Sequence, residues 1–269
     1  MENTAILFRA GNLEQEQELE IASKYFPVYR LRSRLPYNSL VIGRFSTLPY
    51  YAELELDLAT VGSQLINSYT QHRWVSNFDY YEDVKDYTPR SWDEREFYKS
   101  GYDGPLVIKG RTNSRKQRWG IGGMYAEDRK AAYDVASELA NDPLIGPQGI
   151  IYREYVPLVS YETCPISGMP FANEWRLFYF GETLLSCGYY WTIASDETVQ
   201  KAKLDKAGLD LAGKISRIAA KHVNLFVLDI AETQDGRWIL IEINDGTCAG
   251  VGESQVEQLY RNLSYTIRR

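Results

Sequence analysis

The feature that most constrains the chain lies near its end: Phe226-Val227-Leu228-Asp229-Ile230-Ala231-Glu232-Thr233-Gln234-Asp235-Gly236-Arg237-Trp238-Ile239-Leu240-Ile241-Glu242-Ile243-Asn244. Two apolar stretches flank Asp235-Gly236, and that dipeptide suits the positive φ angles of a tight hairpin turn. The run predicts strands over 226–231 and 238–244. A two-residue turn without a bulge sets Asp229 directly opposite Glu242, with Cβ atoms roughly 4.5–5.5 Å apart. Asn244, two residues further on, projects to the same face. The rest of the hairpin is apolar on both faces, so it must be covered, and two covered acids cannot both stay ionised without compensation. Either one strand end is exposed and the acids are solvated, or a cation neutralises them. Two acids and an amide on one face favour the second reading. An all-oxygen donor set of this kind suits Mg²⁺, which fills its octahedron with water and the phosphates of a nucleotide.

Composition removes competing chemistries. The only histidines are His72 and His222, far apart in sequence, which excludes a His-rich zinc site or a facial triad. Cys164, Cys187 and Cys248 form no CxxC pair, and scattered thiols fit a reducing, cytoplasmic setting. Lysine and arginine number 30 against 36 acids, a net charge of −6, so no nucleic-acid partner is expected. The apolar run at 5–8 is shorter than the roughly 7–15 residues of a signal peptide. No stretch reaches the ~20 apolar residues of a membrane span, so no membrane association is expected. The 21 tyrosines suggest amphipathic walls without naming a reaction.

Organisation follows hydrophobic periodicity. Strands at 4–8, 28–31, 39–42 and 64–67 alternate with helices at 13–24 and 50–61, a βαβ rhythm. A helix is expected over 72–84 and is broken at Thr88-Pro89. A strand at 105–109 ends on Lys109 and opens into a glycine-rich basic loop, 110–123. A helix follows at 127–140, then strands at 150–156, 174–180 and 183–191, a helix at 207–222, the hairpin, and a helix at 254–264. The expected division is 1–88, 89–149 and 150–269.

With these residues in order, the chain resembles the ATP-grasp superfamily. Asp229 with Glu242-Ile243-Asn244 is similar to that family's metal-binding hairpin. Val107-Ile108-Lys109 resembles the strand whose lysine contacts the α- and β-phosphates. Arg153-Glu154-Tyr155-Val156 resembles the hinge strand whose backbone reads adenine, and Glu174-Trp175-Arg176 the strand whose acid holds the ribose hydroxyls. The run Ser114-Arg115-Lys116, taken with these, is most similar to a small clade of phage and bacterial ATP-grasp proteins of unsettled substrate. The resemblance implies an α/β ATP-grasp fold: an N-terminal α/β (pre-ATP-grasp) lobe and two α+β lobes gripping the nucleotide. It implies ATP and Mg²⁺ as cofactors, expected as two ions with Mn²⁺ a substitute, bound by Asp229, Glu242 and Asn244.

The implied reaction is ATP-dependent ligation of a carboxylate to an amine or thiol through an acylphosphate. The carboxylate and amine belong to a small molecule or to a peptide or protein terminus. A phosphotransferase acting on a hydroxyl and a non-catalytic ATP-binding module are the alternatives. Lys109, Lys116, Arg153, Glu154, Tyr155, Val156, Glu174 and Arg176 are the expected nucleotide contacts, with Arg176 and Lys116 in catalytic roles. Many ATP-grasp ligases carry an arginine two residues before the hairpin aspartate; here that residue is Val227. Arg176, Lys116, Lys201 and Lys203 are the candidate replacements. Arg44, expected on a loop after a strand, could hold a substrate carboxylate, and Asp245 lies at the acceptor end. His72, His222 and Cys248 are expected to serve packing, while Tyr189, Tyr190 and Trp191 could border the nucleotide cleft.

Overall fold

A computed structural model of the chain describes residues 3–9, 11–45 and 50–268. The first lobe is an all-parallel sheet of β1 (Thr4–Phe8), β2 (Val28–Tyr29), β3 (Leu40–Arg44) and β4 (Gln64–Leu65), in the order β2-β1-β3-β4. Parallel sheets are covered on both faces, which is why every residue of β3 is buried. α1 (Leu13–Ala22) covers one face, its Ala22 lying with Ile6 and Phe8. α2 (Tyr51–Ala59) covers the other, with Leu54 and Leu58 against Ala5, Leu7 and Val41.

The single helix expected over 72–84 is two: α3 (Tyr69–Ser76) and α4 (Tyr80–Val84). Ser68 and Gln71 form a capping box that starts α3. Phe78, at φ 69°, turns the chain between the two helices. Both helices pack on the C-terminal sheet: Val75, Phe78, Tyr80 and Val84 share a core with Leu228 and Ile230. The segment expected to be one N-terminal lobe therefore serves two cores.

The second lobe comprises β5 (Ser91–Trp92), α5 (Glu94–Ser100), β6 (Leu106–Gly110), β7 (Tyr125–Ala126), α6 (Arg129–Ala140) and β8 (Ile150–Glu154). Its strands are antiparallel in the order β5-β8-β6-β7. The expected boundary at 149/150 cuts this sheet. Ile151 pairs with Lys109, and Tyr152 lies in the α6 core with Leu106 and Ile108, so the lobe extends through β8.

The third lobe starts with a ribbon of β9 (Ser160–Thr163) and β10 (Pro170–Ala172). Next come β11 (Glu174–Phe180), β12 (Thr183–Tyr189), α7 (Asp196–Lys201), α8 (Lys206–Ala219), β13 (Leu225–Glu232), β14 (Trp238–Asp245) and α9 (Val256–Ile267). The main sheet is antiparallel in the order β12-β11-β13-β14. One face, with Leu177, Tyr179, Leu228, Ile230 and Ile243, is sealed by α8. The other face is divided. Phe178, Leu185 and Val227 meet α9 and the first lobe, and the remainder carries the charged groups described next.

Candidate active site

A single row of residues crosses the third-lobe sheet. Gly188 on β12 pairs with Arg176 on β11, Arg176 with Asp229 on β13, and Asp229 with Glu242 on β14. Side chains in one row share a face, so sheet register alone brings a guanidinium and two carboxylates together. Arg176 chelates Asp229 through Nε at 2.9 Å and Nη2 at 2.7 Å. Lys109, at the end of β6, forms an ion pair with Glu242. Asn244 donates Nδ2 to Asp229 at 3.1 Å and to Glu242 at 3.2 Å. Burial pushes the Asp229 carboxyl up against the opposing pull of Arg176. Burial also acts on Glu242, but the charges of Lys109 and Lys116 outweigh it and hold that carboxyl well below its ordinary value.

The expected Asp229–Glu242 pairing is present, but two irregularities produce it. Gly236 N–H donates to Thr233 O at 2.9 Å, and Thr233 N–H donates to Arg237 O at 2.7 Å, so the loop is longer than a two-residue turn. Gly236 takes φ 81°, the left-handed residue that closes such a loop. Glu232 therefore pairs with Trp238, one residue short of the expected register. A bulge between the Asp229 and Ile230 pairs restores it, leaving Ile241 as the extra residue. Bulges re-aim side chains, and here Ile239, Ile241 and Glu242 all line one slot. The bulge is clamped by Arg153 of β8, which donates to the carbonyls of Ile241 and Leu240 and to Thr88 Oγ1. Burial lowers the pKa of this guanidinium, marking the cost of placing it there.

The slot lies between β6, β8 and β14 and encloses about 100 Å³. Val107, Met124, Tyr155, Val156, Leu158 and Met169 give it apolar walls, while Lys109, Lys116, Glu174 and Glu242 form its polar end. Glu174 is 3% exposed, and its Oε1 has no hydrogen-bond partner among the described residues. Burial, opposed by Lys116, pushes this carboxyl up to about 7. Lys116 donates to the Tyr190 hydroxyl at 2.5 Å and lies 3.9 Å from that ring's centroid. Arg176 packs 4.7 Å from the same ring. Tyr190 thus holds both cations beside the acids, a role that sequence reasoning does not assign to it. Its position directly after β12, whose Gly188 stands opposite Arg176, is the signal that could have found it.

Several expected site residues serve other ends. Arg44 is the last residue of β3, not a loop residue, and is buried. Its Nε and Nη2 bind Glu18, and its Nη1 binds the carbonyls of Gly246, Thr247 and Ala249. Four of its five N–H donors are engaged inside the protein. Asp245 is equally committed: it accepts from Asn67 Nδ2, His72 Nδ1, and both Thr247 N and Oγ1. It anchors α3 to the end of β14. Of the basic loop, Arg115 pairs with Asp142 and Arg118 with Glu138, while Lys116 is turned to Glu174 and Glu242. Glu154 lines the slot, and its carboxylate is held by Arg90. Lys201 pairs with exposed Glu197. Tyr189 donates to Ala172 O, while Trp191, stacked on Phe171, lies 5.0 Å from Lys116 Nζ behind the nearer Tyr190.

A family model for an ATP-grasp domain, the third family of its clade, matches residues 96–263, more than half of the chain. The chain belongs to this ATP-grasp family. Solved ATP-grasp structures share its fold along nearly its full length. D-cycloserine synthetase DcsG matches with TM-score 0.64 and 13% identity, covering 98% of this chain and 99% of that one. D-alanine–D-alanine ligase from Bacillus anthracis matches with TM-score 0.59 and 11% identity, covering 99% and 98%. ATP-grasp ligase PsnB, complexed with a minimal precursor, Mg and ADP, matches with TM-score 0.55 and 10% identity, covering 99% and 98%. At these identities the likeness is one of fold. No curated protein sequence matches.

The donor set of this ATP-grasp protein fits a hard cation. Asp229 and Glu242 offer carboxylate oxygens from adjacent strands. Asn244 presents Nδ2 to both, and a half-turn of its amide puts Oδ1 in that place. The partnerless oxygen of Glu174, at the polar end of an apolar slot, fits a hydroxyl donor.

Proposed function

We propose that the protein is an ATP-dependent carboxylate–amine ligase, with a thiol as the variant acceptor, working through an acylphosphate. The observation that carries this reading is the row Arg176–Asp229–Glu242, with Asn244, Lys109 and Lys116 around it, at the mouth of an apolar slot. In this reading the slot takes adenine, with the backbone of 153–156 along its edge. Glu174 accepts the ribose hydroxyls with its free oxygen. Lys109 and Lys116 turn from their present partners to the phosphates, each acting as a compact point charge. Mg²⁺, held by Asp229, Glu242 and Asn244, would neutralise the triphosphate and polarise the transferring phosphoryl group.

In this reading Arg176 takes over the role of the arginine absent at Val227. Its planar head can leave Asp229 to steady the γ-phosphate and then the acylphosphate. Catalysis of this kind rests on positioning and charge, so the chain needs no covalent nucleophile. ATP in this role would be consumed to ADP and phosphate. The test is a product count with purified protein, Mg²⁺, ATP and pooled small carboxylates and amines. A ligase releases ADP and inorganic phosphate together with a dehydrated conjugate. ADP with a phosphorylated acceptor and no free phosphate would replace the reading by a kinase, and no turnover in any pool would replace it by a binding module.

A further inference from the structure

Three side chains of metal-binding type meet at the end of β14. A ring nitrogen of His72, a carboxylate oxygen of Asp245 and Sγ of Cys248 lie within 4.8 Å of one another. The local chain builds this grouping. Asp245 and Cys248 are three residues apart in a helical turn, where the N–H groups of Cys248 and Ala249 both donate to Asp245 O at 3.0 Å. Residues at that spacing project to one side. His72 reaches them from α3, whose start is fixed by the capping box at Ser68.

The donors are held in place from behind. Asp245 Oδ1 takes three hydrogen bonds, from Asn67 Nδ2 at 2.8 Å, Thr247 N at 2.8 Å and Thr247 Oγ1 at 2.6 Å. Its Oδ2 is left to His72 Nδ1, at 2.8 Å. Outer partners of this kind are what orient a ligating carboxylate. The His72 ring is stacked on Tyr51, with centroids 4.0 Å apart. Its Nε2 is buried and has no hydrogen-bond partner among the described residues. A histidine buried for a single side-chain contact calls for a reason. Charge supplies one. Asp245 is 4% exposed, and among the described residues no lysine or arginine donates to it. A buried carboxylate without a cation is costly. One divalent ion with this carboxylate, a thiolate and a neutral imidazole sums to zero.

We infer that His72, Asp245 and Cys248 form a binding site for a divalent transition-metal ion, with Zn²⁺ the best match to a mixed nitrogen, oxygen and sulfur set. The ion takes the place of the proton between His72 Nδ1 and Asp245 Oδ2. That ring proton moves to Nε2, and the Cys248 thiol proton goes to solvent. Zinc bonds of about 2.0–2.3 Å set tetrahedral donors roughly 3.3–3.8 Å apart, so the Asp245–His72 pair opens slightly and the sulfur closes in. Phe45, Thr247 and Cys248 border one cavity, which gives the ion a path in and water a fourth position. Held there, the ion ties α3 to the turn after Asn244 and steadies the strand that carries Glu242. The inference does not rest on the ligase reading, because the Asp229, Glu242 and Asn244 set contains no sulfur.

The test uses Co²⁺ as a spectroscopic probe on the full chain in thiol-free buffer. A thiolate ligand gives an intense sulfur-to-cobalt charge-transfer band in the near ultraviolet, which an all-oxygen site does not. The band should saturate at one ion per chain, be displaced by Zn²⁺ and persist in excess Mg²⁺, a hard cation. Cys248→Ala should abolish it, while Cys164→Ala and Cys187→Ala should keep it. His72→Gln should weaken Zn²⁺ binding by more than about 100-fold, beyond the loss of an outer partner. In the parent chain, Zn²⁺ should slow alkylation of Cys248 by iodoacetamide about tenfold, read by peptide mass, since a metal-bound thiolate is no longer free to attack. That measurement does not depend on any variant folding. No band in the parent, a band that survives Cys248→Ala, displacement by Mg²⁺, or alkylation unchanged by Zn²⁺ each overturns the inference.

Discussion

Replacing Arg153 with methionine tests whether the bulge in β14 is held from the neighbouring lobe. Arg153 is 6% exposed and makes three hydrogen bonds across the lobe boundary: to Ile241 O, Leu240 O and Thr88 Oγ1. Hydrogen bonds to a charged group contribute about 1.5–3 kcal/mol each, and a buried acceptor left alone costs about 1–3 kcal/mol. Two effects reduce the sum. Leu240 O keeps the Thr88 hydroxyl at 2.8 Å, so only Ile241 O is orphaned. Removing the guanidinium also recovers the desolvation cost that lowers its pKa. Methionine fills similar space, so no large cavity opens. The net loss is about 3 kcal/mol, or roughly 6 °C in Tm for a chain of this size. Arg153→Lys keeps a charge but not the planar fork and should fall about halfway. Urea unfolding gives the stability, and titration with AMPPNP reports whether Ile239, Ile241 and Glu242 still line the slot. If Arg153→Met unfolds within about 0.5 kcal/mol of the parent, the range of ordinary surface substitutions, the clamp argument fails.

Glu174→Gln should flatten the pH dependence of stability. The folded carboxyl sits at about 7 against 4.5 for the free group. The native state therefore keeps its proton longer, and this group's contribution is present below about pH 4.5 and lost as pH rises through 7. Between pH 5 and 8 the variant should gain on the order of 3 kcal/mol relative to the parent, and parallel urea midpoints would refute it. Arg176→Met strands the fully buried Asp229 and should cost about 3–5 kcal/mol. Adding Asp229→Asn should recover most of that loss, and a double variant no more stable than Arg176→Met would show that the pair is not coupled. A Cβ at Gly188 would lie 2.3 Å from the Glu253 carbonyl carbon and the Ser254 nitrogen. Gly188→Ala should therefore cost about 1–3 kcal/mol in thermal unfolding, and an unchanged Tm would mean that the 250–254 segment is free to move off the row.

What can be read from the sequence is what depends on local period. The βαβ rhythm announces the first lobe, and alternation puts Glu174 with Arg176 and Glu242 with Asn244. Distant pairing is not legible. Nothing local marks β8 as a partner of β6, because its apolar residues suit either flanking sheet. α5 escapes a reading by period, although Asp93 and Glu96 form a capping box and Gly101 ends the helix at φ 66°. The helix between those signals is only seven residues long. Arg44 and Asp245 look like free polar groups at strand ends. Their partners, Glu18 for the one and Asn67 and His72 for the other, lie far away in the chain. The tyrosine excess has a physical account at one position at least, where Tyr190 lies against two cations.

The absence of arginine at Val227 follows from the way the sheet face is divided. Val227 stands one row from Asp229, opposite Asn244, and there the face is covered by α9: Val227 lies with Phe178, Leu185, Leu259 and Leu263. A guanidinium at that position would have to enter an apolar core. Arg176 instead approaches from the adjacent strand, in the same row as Asp229, where the face is uncovered by α9. The lateral approach has a consequence that an arginine on β13 itself would not have. It leaves Nη1 pointing away from the acids to Gly250 O, on the wall of a cavity of about 600 Å³ between α1 and the 247–256 segment. One side chain therefore borders both the acids and that cavity. Moving Arg176 off Asp229 would also disturb its bond to Gly250 O, so the acids and the cavity wall share one anchoring side chain.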